Sequence, residues 1–305
     1  MNFSVVVPTY NRKNDLEKLL QSILEQYLFP KEIIIIDDGN LEKNFIMKIN
    51  SIFKDKQIKI VYYKKSHKNE PKGAAVSRNI GMELAKENIV FILDDDLILD
   101  IYFFFEIIKV WKSKKNDKNL IGVGGVIKNN RQKSVFEFIY NRIFGLGSRY
   151  DWDVTDVGFQ VWNDFITSKR KGYYVQGGNS SYNKTLTKVI KFKALSSGQT
   201  YLEDVDFCIR AKKEGFYFII EPSAKVIHNQ SKSARGKPYF SSFKGSYNRK
   251  ILFSNEIEKK VLNYIWFYWS CFGWALRQLL AGHFIKFLGE MAGYLMPLPK
   301  KKNIK

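Results

Sequence analysis

Runs of apolar residues alternate along the first hundred positions with stretches in which apolar residues recur at helical spacing. Three runs are typical of buried strands: Phe3–Val7 (which stops at Pro8), Glu32–Ile36 and Asn88–Leu93, the last without any polar alternation, as in strands buried on both faces. Gln57–Tyr63 predicts a further strand. Apolar residues at helical spacing after Asn14 or Asp15 predict a helix that one of these two residues caps. Gly73–Lys86 predicts a second helix, which begins at a glycine. Strands that alternate with helices predict a mostly parallel, Rossmann-like α/β sheet with right-handed crossovers.

The second part of the chain is less regular. Ile101–Trp111 predicts a helix and Leu120–Ile127 a buried strand, whereas Asn129–Tyr174 follows no regular pattern, so its residues are given no individual roles. A helix is predicted from Glu203 to Gly215, because its first turn is acidic and a glycine ends it. Two short strands, Gly215–Ile220 and Ala224–Ile227, are predicted after it.

Charge narrows the classes of partner. The formal net charge is +20, and residues 230–305 contain 14 Lys/Arg and 3 Asp/Glu. This asymmetry indicates an anionic partner, either nucleic acid or an anionic membrane surface, and no nucleic-acid motif is present. The two cysteines imply no disulfide framework, which fits a reducing cytosol, and the first residues lack a signal-peptide pattern.

Acidic residues follow two of the predicted strands directly. Asp94, Asp95 and Asp96 end the run FILDDD, and Asp37-Asp38 ends IIIIDD. Ligands of open α/β sheets bind at the carboxyl ends of the strands, and carboxylates there suit Mg²⁺ or Mn²⁺ together with substrate phosphates. The alternative is a solvated acidic turn. A Rossmann dehydrogenase is disfavoured, because PTYNR follows the first strand where a glycine-rich fingerprint is required.

Four segments in this order and spacing, VVVPTYNR, IIIIDDGN, KGAAVSRNIG and FILDDD, resemble family-2 glycosyltransferases of the GT-A fold. The resemblance implies a nucleoside-diphosphate-sugar donor, a divalent metal (Mn or Mg) and inversion at the anomeric carbon. It places Pro8, Thr9, Tyr10, Asp38 and Arg78 around the nucleotide, with Asp38 at the base. Asp96 would bind the metal directly, and Asp94 or Asp95 would assist through the ribose or a metal-bound water.

Three further segments extend the resemblance. Gly177, Gly178 and Asn179 match a segment that faces the donor sugar, although a tight turn explains the glycines equally well. Glu203 and Asp204 match a pair whose aspartate is the general base, with Glu203 positioning the base or the acceptor. Acids in a first helical turn also complement the helix dipole. His228 matches a histidine that completes the metal site with Asp96 and Asp94; the alternative is a structural histidine.

The last part of the chain is basic and aromatic. Lys232–Lys250 predicts a flexible loop, which either closes over the donor phosphates through Arg235, Lys237 or Arg249 or is simply solvated. Val261–Leu276 holds three of the six tryptophans but is shorter than the roughly 20 apolar residues that span a bilayer. We expect this segment to lie in the headgroup region of a membrane, with a packed helical hairpin or an oligomer interface as alternatives.

The expected protein is therefore a metal-dependent glycosyltransferase with a catalytic domain over residues 1–230 and an extension over 231–305. Residues 1–98 would bind the nucleotide and residues 99–230 the acceptor, a glycan or lipid-linked glycan at the inner face of the cell membrane. The alternatives are a polyprenyl-phosphate glycosyltransferase, a basic nucleic-acid-binding protein and an inactive nucleotide-sugar-binding module. The first of these needs little help from a base, because its acceptor is already a phosphate.

Overall fold

The computed structural model describes residues 1–148, 150–196, 201–231 and 236–298. The strands of this part of the chain are β1 (Phe3–Thr9), β2 (Glu32–Asp37), β3 (Lys59–Lys64), β4 (Ile89–Leu93), β5 (Leu97–Leu99), β6 (Leu120–Ile127), β7 (Asp153–Val154), β8 (Gln160–Val161), β9 (Arg170–Gly172), β10 (Asn179–Asn183) and β11 (Tyr217–His228). The helices are α1 (Lys13–Leu24), α2 (Lys43–Asp55), α3 (Ala74–Leu84), α4 (Phe103–Ser113), α5 (Val135–Ile143), α6 (Lys184–Thr187), α7 (Glu203–Lys213), α8 (Pro238–Glu256), α9 (Val261–Leu280) and α10 (Phe284–Leu295).

The central sheet has the strand order β3-β2-β1-β4-β10-β6-β11-β5. In addition, β9 pairs with the beginning of β11, at residues 218–220. Strands β1 to β4 are parallel, β6 and β11 are parallel to each other, and β10 runs antiparallel between β4 and β6. Parallel strands place their carboxyl ends at one edge. The acidic end of β4 and the end of β1 therefore meet at that edge.

The core lies on both faces of the sheet. Along β1, Val5 and Val7 pack on one face with α1 and α4, whereas Val6 packs on the other face with α3 and α7. This two-sided burial is why the strands read as continuous apolar runs. A third apolar cluster joins α5, α8, α9 and α10.

The predicted mostly parallel α/β sheet is confirmed, with corrections to individual elements. Pro8 does not end β1, since it pairs with Ile36 of β2; β4 pairs with β1 only as far as Val6, so Pro8 needs no donor on that side. Neither Asn14 nor Asp15 caps α1, which begins at Lys13. Strand β10 and helix α2 were not predicted, and the two predicted strands after α7 form one irregular strand, β11.

Three helices form the described part of the predicted extension. The predicted flexible loop is wrong from Pro238 onward, because the proline occupies the first turn of the long helix α8. Helix α10 packs very closely along α8: a Cβ at Gly293 would lie 2.5 Å from the carbonyl oxygen of Phe243. Among the described residues, no helix combines the length and apolarity that crossing a membrane requires.

We expect Gly81→Ala to lower the free energy of unfolding by about 1–3 kcal/mol, the usual cost of overpacking a core. Gly81 lies on α3 where the helix crosses β1, and a Cβ there would lie 2.2 Å from Cγ1 of the fully buried Val6. Urea unfolding of the purified protein measures the change.

The control for this substitution is Gly245→Ala in α8, where an added Cβ would have no heavy atom within 4 Å. Because alanine restricts the unfolded chain and favours helix, we expect Gly245→Ala to raise stability by about 0.5–1 kcal/mol. Equal effects of the two substitutions would contradict close packing between α3 and β1.

Candidate active site

The three acids after β4 have different partners. Asp95 is buried, and its carboxylate accepts hydrogen bonds from the Thr9 hydroxyl at 2.7 Å and from the Arg12 guanidinium at 3.0 Å. Burial raises the pKa of Asp95 to about 6, although Arg12 and Thr9 act in the opposite direction. Asp95 thus ties the segment after β1 to the end of β4.

Asp96 lies beside His228, because β11 pairs with β5 and the register places His228 opposite Leu97. The Asp96 Oδ1 atom is 3.2 Å from His228 Nε2, and Oδ2 accepts the Ser231 backbone N–H at 3.0 Å. Burial alone would raise the pKa of Asp96, but hydrogen bonding to His228 and Ser231 and the charge of Arg12 outweigh it and lower the pKa. The structure therefore brings together a carboxylate oxygen and an imidazole nitrogen.

This pair fits a divalent cation that binds together with a substrate. Carboxylate and imidazole are both ligands of such ions, and Mg²⁺-type sites keep open positions for water and phosphate oxygens. The predicted third ligand, Asp94, does not join the pair: its Oδ1 accepts a hydrogen bond from Arg78 at 3.3 Å. In the described ranges, no group of three or more His, Cys, Asp or Glu side chains is arranged to hold a metal.

Arg78 connects two of the predicted segments. It is only 4% exposed on α3, and its guanidinium donates to Glu203 Oε1 at 2.7 Å as well as to Asp94. Burial alone would lower the pKa of Arg78, but the carboxylates of Glu203, Asp94 and Asp204 raise it above its ordinary value. Burial raises the pKa of Glu203, and the charge of Arg78 opposes that rise.

The glycines before β10 pack directly on these side chains. The Asp94 backbone N–H donates to the Gly178 carbonyl at 2.9 Å, and a Cβ at Gly178 would lie 1.9 Å from Asp94 Cγ. A Cβ at Gly177 would lie 2.8 Å from Arg78 Nη1 and 2.9 Å from the Cβ of Asp204. Only glycine permits this approach at both positions.

Asn179, the first residue of β10, is 2% exposed. Neither atom of its side-chain amide has a hydrogen-bond partner among the described residues. Buried amides normally have partners, so this one is available to a ligand at the carboxyl edge of the sheet.

Asp204 is half-buried in the first turn of α7. Its Oδ2 accepts hydrogen bonds from the Tyr174 hydroxyl at 3.0 Å and from the Gly177 N–H at 3.4 Å. The preceding Leu202 has φ +67°, a left-handed conformation that is unfavourable for leucine and marks a constrained turn. The turn directs Glu203 to buried Arg78 and leaves Asp204 partly accessible.

The predicted nucleotide-binding residues lie along the same edge. The Thr9 carbonyl accepts the N–H of Asp38, and the Asp38 carboxylate accepts the Gly73 N–H at 2.7 Å and pairs with Lys65 at 2.9 Å. Pro8 pairs with Ile36 of β2, and its side chain is half-buried. Tyr10 is 42% exposed, with its ring 5.8 Å from the Lys72 ammonium group.

Sequence reasoning missed three residues of this region: Arg12, Lys65 and Tyr174. Arg12 stands in the segment PTYNR, and each of the three acts through partners that are distant in the chain. Sequence motifs depend on residues at short, fixed spacing, so they do not reveal pairs of residues that are distant in the chain.

A cavity of about 870 Å³ opens between α5 and residues 161–165, which begin at the end of β8. Trp162 lines it, and the Trp162 ring also contacts Tyr174 at a centroid distance of 6.3 Å. The Tyr174 hydroxyl in turn donates to Asp204, so the Trp162–Tyr174 contact connects the cavity wall to that carboxylate. Its other polar lining residues include Asn130, Arg131, Lys133, Arg142, Asn163 and Asp164.

The basic segment does not reach this edge through Arg249. Arg249 is buried and donates to the Gly158 carbonyl at 2.7 Å, with its guanidinium 4.0 Å from the centre of the Phe159 ring. Arg249 therefore connects α8 to the residues just before β8. The predicted contact of Arg249 with the donor phosphates is wrong. Lys237 lies immediately before α8, and Arg235 lies outside the described residues.

Comparison with known proteins gives matches over much of the chain. The family model for glycosyl transferase family 2 matches residues 4–170. A Staphylococcus aureus protein, poly(ribitol-phosphate) β-N-acetylglucosaminyltransferase TarP, is 24% identical over 267 residues, which are 84% of this chain and 73% of TarP.

Solved structures share the fold. The mannosyltransferase PcManGT from Pyrobaculum calidifontis, solved with GDP-Man and Mn²⁺, superposes with a TM-score of 0.60 at 14% identity, covering 96% of this chain and 87% of that one. S. aureus TarS 1–349, solved with UDP-GlcNAc, gives a TM-score of 0.53 at 16% identity, covering 88% and 70% of the two chains. At these identities the likeness concerns the fold, and the sheet and its helices are of the GT-A type.

Proposed function

The chain belongs to glycosyl transferase family 2, and from this premise we propose that it transfers a sugar from a nucleoside-diphosphate sugar to a hydroxyl group of a glycan or lipid-linked glycan, with inversion. One observation carries the proposal. Arg78 bonds Glu203 and Asp94 at once, so the acidic edge of β4 and the Glu203-Asp204 turn form one site around the Gly177-Gly178 backbone.

Asp204 is the proposed general base. Its carboxylate takes the proton of the acceptor hydroxyl while the new bond from oxygen to the anomeric carbon forms and the bond to phosphate breaks. The nucleoside diphosphate leaves with the bonding electrons. Tyr174 and the Gly177 N–H fix the orientation of the carboxylate, which an in-line transfer requires.

Asp96 and His228 are the proposed protein ligands of a divalent metal. Such an ion neutralises the negative charge that develops on the leaving diphosphate. Arg12 and the Ser231 N–H hold Asp96 Oδ2, which leaves Oδ1 beside His228 for coordination. The GDP-Man and Mn²⁺ in the PcManGT structure support this part of the proposal by analogy of fold.

The acceptor is proposed to occupy the cavity beside Trp162. An aromatic ring next to amide and carboxylate groups suits a sugar, whose apolar face stacks and whose hydroxyls form hydrogen bonds. A chain of contacts supports this proposal: Trp162, which lines the cavity, contacts the Tyr174 ring, and the Tyr174 hydroxyl donates to Asp204. We place the enzyme at the inner face of the cell membrane, where a lipid-linked acceptor is available.

Calorimetric titration with a panel of nucleoside diphosphates and their sugars, with and without Mn²⁺, tests the donor site. We expect one nucleotide to bind in a metal-dependent manner. Asp96→Ala should weaken that binding by at least about 10–100-fold, since loss of a residue that only supports a metal ligand already costs that much.

The control for this titration is Asp55→Ala, which removes an exposed carboxylate at the end of α2. It should bind the nucleotide as the wild type does. Absence of metal-dependent binding to every nucleotide would refute the proposal and leave the acids after β4 with structural contacts alone.

A further inference from the structure

Two adjacent helices expose an unusual number of large apolar side chains. We define the α5–α9 face by nine of them, each between 41% and 76% exposed. They are Val135, Phe136, Ile139 and Ile143 of α5 and Leu262, Ile265, Trp266, Trp269 and Phe272 of α9. Contiguous apolar surface of this kind on a soluble protein usually marks an interaction site.

The face is a single fixed surface because the two helices are bonded to each other. The Trp269 ring stacks on Phe144 at 4.9 Å, and its indole N–H donates to the Ile143 carbonyl at 2.8 Å. The Tyr140 hydroxyl donates to the Gly273 carbonyl at 2.6 Å. A shallow apolar cleft of about 640 Å³ lies on the outer side of α9, next to Trp266 and Trp269.

The charges around the face are mainly positive. Lys259 and Lys260 precede α9, and Arg142 lies within the last turn of α5. Between Lys259 and Leu298 the one carboxylate in the sequence is Glu290, which is 6% exposed and so hardly contributes to the surface.

Glu137 on α5 and Glu258, which precedes α9, each have a cationic partner. Glu137 pairs with Arg131 at 2.7 Å, and Glu258 pairs with Lys260 at 2.9 Å. Lys259 and Arg142 add positive charge beyond these pairs. A second copy of this surface would bring like charges together, whereas an anionic lipid surface complements them.

We propose that the α5–α9 face docks on an anionic lipid bilayer, with its Trp, Phe and aliphatic side chains in the headgroup region. Aromatic side chains concentrate at that depth, and nearby lysines and arginines bind the acidic headgroups. Helix α5 contributes four of the nine side chains of the face, so the docking surface extends beyond the apolar segment 261–276.

If the protein is the proposed glycosyltransferase, docking through this face also specifies the kind of acceptor. This step rests on the proposed function. Helix α5 has two roles: Phe136 and Ile139 belong to the face, while Phe138 and Arg142 line the cavity beside Trp162. A bilayer bound at the face therefore lies next to the mouth of the acceptor cavity. The acceptor is then a glycan carried on a membrane lipid.

Vesicle co-sedimentation of the full chain tests the docking, with phosphatidylglycerol/phosphatidylcholine vesicles and pure phosphatidylcholine vesicles. We expect binding to the anionic vesicles that weakens with salt. The triple variant Phe136→Ser/Leu262→Ser/Ile265→Ser should lose about ten-fold or more in affinity. The matched control, Met47→Ser/Ile101→Ser/Val189→Ser, removes three side chains that are 51–72% exposed elsewhere and should bind as the wild type does.

Several results would overturn the proposal: no binding of the wild type to anionic vesicles, or equal binding by the face variant and the wild type. Sedimentation velocity adds another. If the wild type forms dimers or larger assemblies that the face variant dissociates, the face is a contact between copies and not a docking surface for lipid.

Donor titration on the same preparations separates this proposal from the proposed function. A face variant that loses vesicle binding but retains nucleotide binding, and that loses transfer to lipid-linked acceptor but not to a soluble analogue, supports both. Vesicle binding that follows the prediction while no nucleotide binds would keep the docking surface and refute the glycosyltransferase site.

Discussion

Asp204→Asn is expected to lower the turnover number of glycosyl transfer by about 10²–10⁴-fold, the usual contribution of a general base. Asparagine preserves the size of the side chain and can still accept hydrogen bonds from Tyr174 and the Gly177 N–H. It cannot take the proton of the acceptor hydroxyl. We therefore expect the donor to bind as before, and initial-rate kinetics combined with calorimetry measures the two effects separately.

Asp206→Asn is the matched control, because it makes the same chemical change on the same helix. Asp206 is buried and pairs with Arg210 at 2.6 Å, so its loss should affect stability more than turnover. Near-wild-type turnover of Asp204→Asn would contradict the assignment of the base. It would favour a polyprenyl-phosphate acceptor, which is already an anion and needs no base.

Arg78→Met is expected to lower the free energy of unfolding by about 3–5 kcal/mol, because it leaves a buried carboxylate without its cation. Glu203 is 7% exposed and would lose the guanidinium at 2.7 Å. Asp94 would lose a longer contact, but its side chain is 41% exposed and water can replace that bond. Urea unfolding measures the loss, and nucleotide binding should decline with it.

The pH dependence of the Arg78→Met variant identifies the cause. Burial raises the folded-state pKa of Glu203 above its unfolded value, and removal of Arg78 raises it further. A group with a raised folded pKa contributes most stability below its unfolded pKa, and this contribution is lost as pH rises through the folded pKa. The deficit of the variant should therefore shrink as pH falls from the raised folded-state pKa of Glu203 to the ordinary pKa of glutamate, and it should be smallest below that value.

Two further variants control this experiment. Arg78→Met/Glu203→Gln removes both charges and should recover much of the stability without recovering activity. Lys191→Met breaks an exposed pair with Glu83 and should cost at most about 1 kcal/mol. If Arg78→Met were as mild as Lys191→Met, the buried pair would not be an important contact of the fold.

The sequence predicted much of the sheet because strands β1, β2 and β4 are buried on both faces, which leaves a clear apolar signal. Strand β10 escaped prediction because its residues NSSYN are polar although four of the five are buried. Two of these polar side chains have specific partners: Ser181 accepts a hydrogen bond from the Trp111 indole N–H, and Ser180 donates to the Gln176 carbonyl. Only the tertiary structure contains that information.

The candidate site was predictable where its residues stand in short motifs, such as Asp94–Asp96 and Glu203-Asp204. The sequence did not predict which partner each of the three acids after β4 would bind. Asp95 bonds to Thr9 and Arg12, Asp94 bonds to Arg78, and Asp96 alone is beside His228. Three identical neighbouring residues give no indication of which partner each will meet.

The antiparallel strand β10 bears on the order in which the enzyme can form during its synthesis. Asp94 leaves the ribosome early, but the carbonyl group that accepts its backbone N–H belongs to Gly178. Strands β1 to β4 can pair as soon as they are made, whereas the floor of the site requires β10 to enter between β4 and β6. A nascent chain that ends before Gly178 therefore carries the acidic motif without the backbone segment that packs against it in the candidate site.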